Sequence, residues 1–182
     1  MEKEWDIVEV LRHSRHDWLN RLQLIKGNLE LGRVEKVKDI IDQIIIESQQ
    51  ESKLSNLHMP MFASLLLKSN WENRLFYLEY EVLEESDCLA IDDTLLSSWT
   101  SDFFSYLNSA IEPFQEHHLS ITIDPQKEGA RFFFDFSGII KKEERIEQFL
   151  AKSSETDWLI EIKEFSLNEF ALEVFIPKAK VE

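Results

Sequence analysis

The sequence predicts an α+β protein. An N-terminal antiparallel helical hairpin over residues 1–58 closes its core by dimerising into a four-helix bundle, and a sheet covered by helices on one side follows over residues 59–182. Three observations predict this. Between residues 3 and 31 there is no proline, and apolar positions recur alternately three and four apart. After Pro60 the chain breaks into short runs that alternate apolar and polar residues, such as "FYLEYEVL". With 182 residues and 43% hydrophobic content, there is enough chain for a true core.

The first helix is read within the proline-free stretch from Lys3 to Leu31. Val8, Leu11, Arg15, Trp18, Leu22, Ile25 and Leu29 follow the a/d spacing of a bundle seam, with Arg15 the one polar member. Gly32 supplies a helix stop. The second helix shows Val37, Ile40, Ile41, Ile44 and Ile45 on one face, weakens over "ESQQES" and returns at Leu54 and Leu57. Two helices cannot enclose a core. Burial at roughly 25 cal/mol per Å² favours closing the gap with a second copy of the hairpin, or by docking on the chain's own second domain.

In the second domain, "MFASLLLKSNWENR" reads as a helix, and "FYLEYEVL" as a strand with Phe76, Leu78, Tyr80 and Val82 on one face. Residues 94–116 read as a helix closed by His117 and His118 at its negative pole. "LSITI" and "ARFFFDFSG" are strands around a "DPQKEG" turn, "KKEERIEQFLAK" is an amphipathic helix, and two strands flank Leu167 and Asn168 at the end. His58 falls in the linker at "HMP".

Composition narrows the function. The lone Cys88 cannot form an internal disulfide, and no CxxC or Cys/His cluster marks a metal. The start "MEKEWDIVEV" lacks signal-peptide order, and no apolar run nears the roughly 20 residues of a membrane span. A cytoplasmic protein that does not engage a membrane is expected. The net charge of −15 argues against direct nucleic-acid binding. Yet Arg12, Arg15, Arg21, Lys26 and Arg33 face only Asp17 and Glu30 between residues 11 and 33. These charges are either an ordinary solvated helix face or a landing site for an anionic partner.

In that heptad register His16 falls outside the seam, at b, beside Asp17 at c, and His13 falls at the outermost position, f. Asn20 and Gln23 lie four and seven residues on, along the same face, and Arg12 lies four back. Phosphoryl transfer suits this set: neutral imidazole is nucleophilic near neutral pH, a carboxylate can orient it, and guanidinium and amide donors can steady phosphoryl oxygens. The plain alternative is an inert surface histidine. A metal held by His13 and His16 lacks a clear third ligand.

The run "HSRHDWLNRLQLIKGNLEL", with "ESKLSNL" at residues 51–57, resembles the sporulation initiation phosphotransferase family of the Bacillus phosphorelay. "RHDWLNRLQ" is more loosely similar to the histidine box of citrate- and malate-type sensor kinases. The resemblance implies that His16 carries the phosphoryl group and that Asp17, Asn20 and Gln23 occupy the family's acidic and polar positions. It implies a homodimer through a four-helix bundle and a second domain like a histidine-kinase ATP-binding domain. It further implies a single-domain response regulator as phosphate donor and a response-regulator transcription factor as acceptor. Arg12, Arg15, Leu19, Gln23 and Lys26 are the candidates for touching those partners.

No cofactor is expected on this chain, and Mg²⁺ is expected in the partner regulator. The Asn-Ala helix motif of such ATP-binding domains aligns with "YLNSAIEP", where Ser109 takes the asparagine's place and Asn108 points about 100° away. "DFSGII" keeps only Gly138 of the glycine box. With four glycines in the chain, a nucleotide-free domain without autokinase activity is expected. A non-catalytic adaptor or kinase inhibitor, binding regulators or kinases through the bundle face, is the alternative function.

Overall fold

The computed structural model describes residues 5–84, 90–153 and 156–178; Lys3 and Cys88 lie outside them. The chain forms two compact units, Met1–Gln49 and Gln50–Glu182. Among the described residues no helix is long and apolar enough to cross a membrane.

In the first unit, α1 spans Ile7–Glu30 and opens on Asp6, whose carboxylate accepts the Glu9 amide at 2.8 Å. The chain reverses at Gly32, in the left-handed region at φ 68°, where the Arg33 amide bonds back to the Asn28 carbonyl. Helix α2, Val34–Asn56, returns antiparallel, and the Arg21 guanidinium meets the Glu47 carboxylate across the hairpin. Along one face of α1, Val10, Ser14, Asp17, Arg21, Ile25 and Asn28 are all at least half shielded. Of the a/d stripe only Ile25 lies on that face; Val8, Leu11, Trp18, Leu22 and Leu29 remain exposed. Only Asn28 and Val37 are buried among the unit's described residues.

The last turns of α2 belong to the second unit. Leu54 and Leu57 are fully buried in its core. The compact-unit boundary therefore falls inside α2, ahead of the linker at His58, which sits at φ 55°.

That second unit is a mixed sheet in the order β1-β2-β3-β5-β4, with helices on one face. Its strands are β1 Tyr77–Val82, β2 His118–Gln126, β3 Gly129–Ser137, β4 Leu159–Phe165 and β5 Glu169–Pro177. Among the described strands only β1 and β2 run parallel, joined through α4, Asp93–Ala110. Side chains close the outer edge of β1. Gln50 Oε1 accepts the Val82 amide, Lys53 Nζ donates to the Val82 carbonyl, and the Asn70 amide brackets both backbone groups of Leu78. An edge that would otherwise invite another strand is thereby blunted.

Alternation decides the faces. Leu119, Ile121 and Ile123, then Phe132, Phe134 and Phe136, then Phe170, Leu172 and Val174, are buried under α3 (Pro60–Lys68), α4 and α5 (Glu143–Ser153). Glu79, Glu81, Asp135 and Glu161 face solvent. Phe103 of α4 lies 5.2 Å from Phe134 and 5.3 Å from Phe149, ring to ring. The N-terminus of α3 is capped by Asp93, which accepts the amides of Met61 and Phe62.

Three expectations are corrected here. The helix read over 94–116 stops at Ala110, because Pro113 cannot continue it and Ile111 instead bridges Ile140. His117 and His118 do not close a helix: His118 opens β2, and His117 is buried before it. The helix read from "MFASLLLKSNWENR" ends at Lys68 and passes through a 3₁₀ turn, Ser69–Trp71, which delivers Asn70 to β1.

Candidate functional site

Because α1 packs with one stripe, the residues just off it stand in solvent. The His16 side chain is 72% exposed, as its heptad position predicts. Its Nδ1 lies 3.4 Å from Asp17 Oδ1 and 3.2 Å from Asn20 Nδ2. Nε2 makes no hydrogen bond to any described residue. The helix thus grips one ring nitrogen and leaves the other outward.

The two neighbours favour different tautomers. Asp17 can only accept, so it favours a proton on Nδ1 and a lone pair on Nε2. The Asn20 amide nitrogen can only donate, which favours the reverse. A half-turn of that amide brings its oxygen to Nδ1, and both neighbours then accept from the same Nδ1–H. In that arrangement Nε2 is an exposed, unprotonated nucleophile.

His16, Asp17 and Asn20 are brought together. Gln23 is exposed further along α1, with no bond to the ring. Arg12, His16, Leu19, Gln23 and Lys26 form an exposed stripe spaced four and three apart. No ion pair ties Arg12 or Arg15 to any described residue, while Lys26 lies 3.8 Å from Glu30. His13 does not stand alone at the outermost position: the Trp5 ring lies 5.0 Å from it. Among the described residues no group of three or more His, Cys, Asp or Glu side chains converges to hold a metal.

The motif positions of the second unit have structural work. Asn108 Oδ1 accepts the Leu75 amide at 2.7 Å, and Ser109 Oγ donates to the Tyr106 carbonyl. At Gly138 the space a Cβ would take is filled by the His117 ring, whose Nδ1 would lie 2.2 Å away. His117 itself was misread from sequence. The signal that could have found it is Pro113 just upstream, which rules out the helix that was to end there. Burial first, and the neighbouring His118 charge second, hold the His117 imidazole below its ordinary pKa.

Two family models match the chain. "Sensor kinase SpoOB-type, alpha-helical domain" covers residues 1–57, and "Sporulation initiation phospho-transferase B, C-terminal" covers residues 58–177. The chain belongs to the sporulation initiation phosphotransferase B family. Family membership makes it a phosphotransferase of the sporulation phosphorelay. Sporulation initiation phosphotransferase B of Bacillus subtilis (strain 168) is 37% identical over 135 residues, 73% of this chain and 70% of that one. Among solved structures, the catalytic domain of histidine kinase ThkA is 15% identical, covers 69% of this chain and 92% of its own, and has a TM-score of 0.47. A bacterial phosphotransferase at 12% identity covers 94% of this chain and 98% of its own, with a TM-score of 0.42.

Proposed function

We propose that the chain is a phosphorelay histidine phosphotransferase in which His16 Nε2 takes a phosphoryl group from the aspartyl phosphate of a single-domain response regulator. It then returns the group to the aspartate of a response-regulator transcription factor. The observation that carries this reading is the exposed imidazole held by Asp17 and Asn20 at Nδ1, with Nε2 outward.

In the first step Nε2 attacks the phosphorus in line, the Nε2–P bond forms, and the P–O bond to the donor carboxylate breaks. The donor leaves as a carboxylate. The ring keeps its Nδ1 proton, and the positive charge that this leaves on the imidazole is met by the Asp17 carboxylate. The second step is the reverse, toward another aspartate. Acyl phosphate and phosphoramidate are both labile, so transfer needs no nucleotide, and Mg²⁺ is the partner's contribution. Arg12, Arg15, Leu19, Gln23 and Lys26 form the contact surface, where exposed cations steer an acidic, metal-bearing pocket toward the ring.

Homodimerisation is part of the proposal. Val8, Leu11, Trp18, Leu22 and Leu29 stay exposed in a single chain, and a second hairpin covers them. The Gly138 space filled by His117 and the Asn108 side chain engaged with Leu75 support a second domain that neither binds ATP nor phosphorylates itself.

The test uses the purified chain, a phosphorylated single-domain regulator and no ATP. Wild-type protein gains acid-labile label, whereas His16→Ala gains none and keeps its sedimentation behaviour. Label retained on His16→Ala sinks the assignment of His16. A wild-type chain that binds the regulator without taking label favours the adaptor instead.

A further inference from the structure

His117 stands at a junction that the phosphotransfer site does not use. Its backbone carbonyl accepts the Tyr77 amide at the start of β1. Its ring reaches two other segments: Nε2 lies 2.6 Å from the Glu112 carbonyl oxygen, and the Ile139 amide lies 3.2 Å from Nδ1. A carbonyl can only accept and an amide N–H can only donate. The ring is therefore neutral, with its proton on Nε2. It is 2% exposed and occupies the space left by the missing Cβ of Gly138. One imidazole thus ties the turn after α4 to the loop after β3.

We propose that His117 is a proton-operated clasp: neutral, it holds the Ile139 amide in the loop after β3, and protonated at Nδ1, it releases that amide. A proton on Nδ1 turns an acceptor into a donor facing another donor, while the bond from Nε2 to Glu112 survives. Release is therefore one-sided. Only the Ile139 amide is freed: the Ile139 carbonyl still accepts the Glu112 amide, the Gly138 and Ile140 amides still donate to the Asn168 and Leu167 carbonyls, and the Ile111–Ile140 bridge and the bonds from Lys141 and Lys142 to the Ala110 carbonyl remain.

The ionisable groups around the ring do not cancel this effect. From the loop before β1 come Glu72 and Arg74, which pair with each other. The Glu112 carboxylate on the turn is engaged by Lys141 of the loop after β3. Glu116 and His118 flank the ring in sequence, and the His118 charge opposes its protonation. From β3 the ring meets Phe136 and Gly138, neither charged. Since the folded state lowers the pKa, the clasp is closed above the ordinary imidazole range and is lost as pH falls through the lowered value.

The experiment is amide hydrogen exchange of the full chain between pH 7.5 and 5, with histidine ring titration by NMR. The Ile139 protection factor falls by up to about tenfold per pH unit once the ring begins to protonate, and His117 titrates below the ordinary imidazole range. His117→Asn, whose side-chain oxygen replaces Nδ1, keeps Ile139 protected across the range. His117→Gln reaches only Glu112 and leaves Ile139 unprotected throughout. His118→Gln retains the wild-type direction. Ile139 protection indifferent to pH in the wild type, or a His117 ring titrating within or above the ordinary imidazole range, overturns the clasp; because that readout is made on the wild-type chain, it stands even if a variant fails to fold.

Discussion

Replacing Gly138 with alanine is the sharpest test of how the second unit is packed. The added Cβ would lie 2.2 Å from His117 Nδ1, 2.9 Å from its Cγ and 2.8 Å from Phe136 Cζ. Neither ring can swing into solvent, since His117 is 2% exposed and Phe136 is fully buried. The imidazole must move, and its bonds to Ile139 and Glu112 move with it. Overpacking a filled core costs about 1–3 kcal/mol, and stranding a buried polar group about 1–3 more. Partial relaxation places the sum at roughly 2–4 kcal/mol. Urea unfolding followed by near-ultraviolet circular dichroism reads this as a lowered midpoint at unchanged slope. A loss smaller than about 0.5 kcal/mol, the scale of a neutral surface change, would mean that His117 does not fill that space.

Other outcomes follow from the same contacts. Asn20→Ala leaves the helix intact but frees one side of the imidazole, so phosphoryl transfer slows by about 10–100-fold, measured by rapid-quench labelling. Leu22→Glu puts a charge on the exposed seam, and sedimentation velocity should find monomers whose second unit melts unchanged. Asp93→Ala removes the acceptor for two amides at the start of α3 and costs about 1–2 kcal/mol in thermal unfolding.

Much of the fold was legible because burial follows period. The alternation in "FYLEYEVL" and "ARFFFDFSG" marks β1 and β3, whose inward residues Leu78, Val82, Phe132 and Phe134 are buried. The order of elements after Pro60 follows in the same way. Helix α4 was drawn six residues too long, since its apolar pattern continues past the point where Pro113 forbids the backbone to follow. That overrun hid His117, whose role rests on contacts to Glu112 and Ile139, five and twenty-two residues away. No local pattern encodes such a junction.

The hairpin contact was hidden for another reason. Asp17, Arg21 and Asn28 are half shielded or buried and polar, and they interrupt the apolar Val10 and Ile25 on the same face, where Arg21 pairs with Glu47. At the site, helical spacing was enough to set His16 in solvent beside Asp17 and Asn20. It did not say which ring nitrogen those neighbours hold. That depends on side-chain rotamers, and it decides which nitrogen is left to react.

The most direct measurement locates the phosphorus itself. Wild-type protein is mixed with a phosphorylated single-domain regulator, quenched in alkali and sequenced by electron-transfer mass spectrometry, with ¹⁵N-edited ³¹P NMR identifying the bonded nitrogen. Phosphate is expected on His16, bonded to Nε2. Phosphate on any other residue, or on Nδ1 of His16, contradicts that assignment.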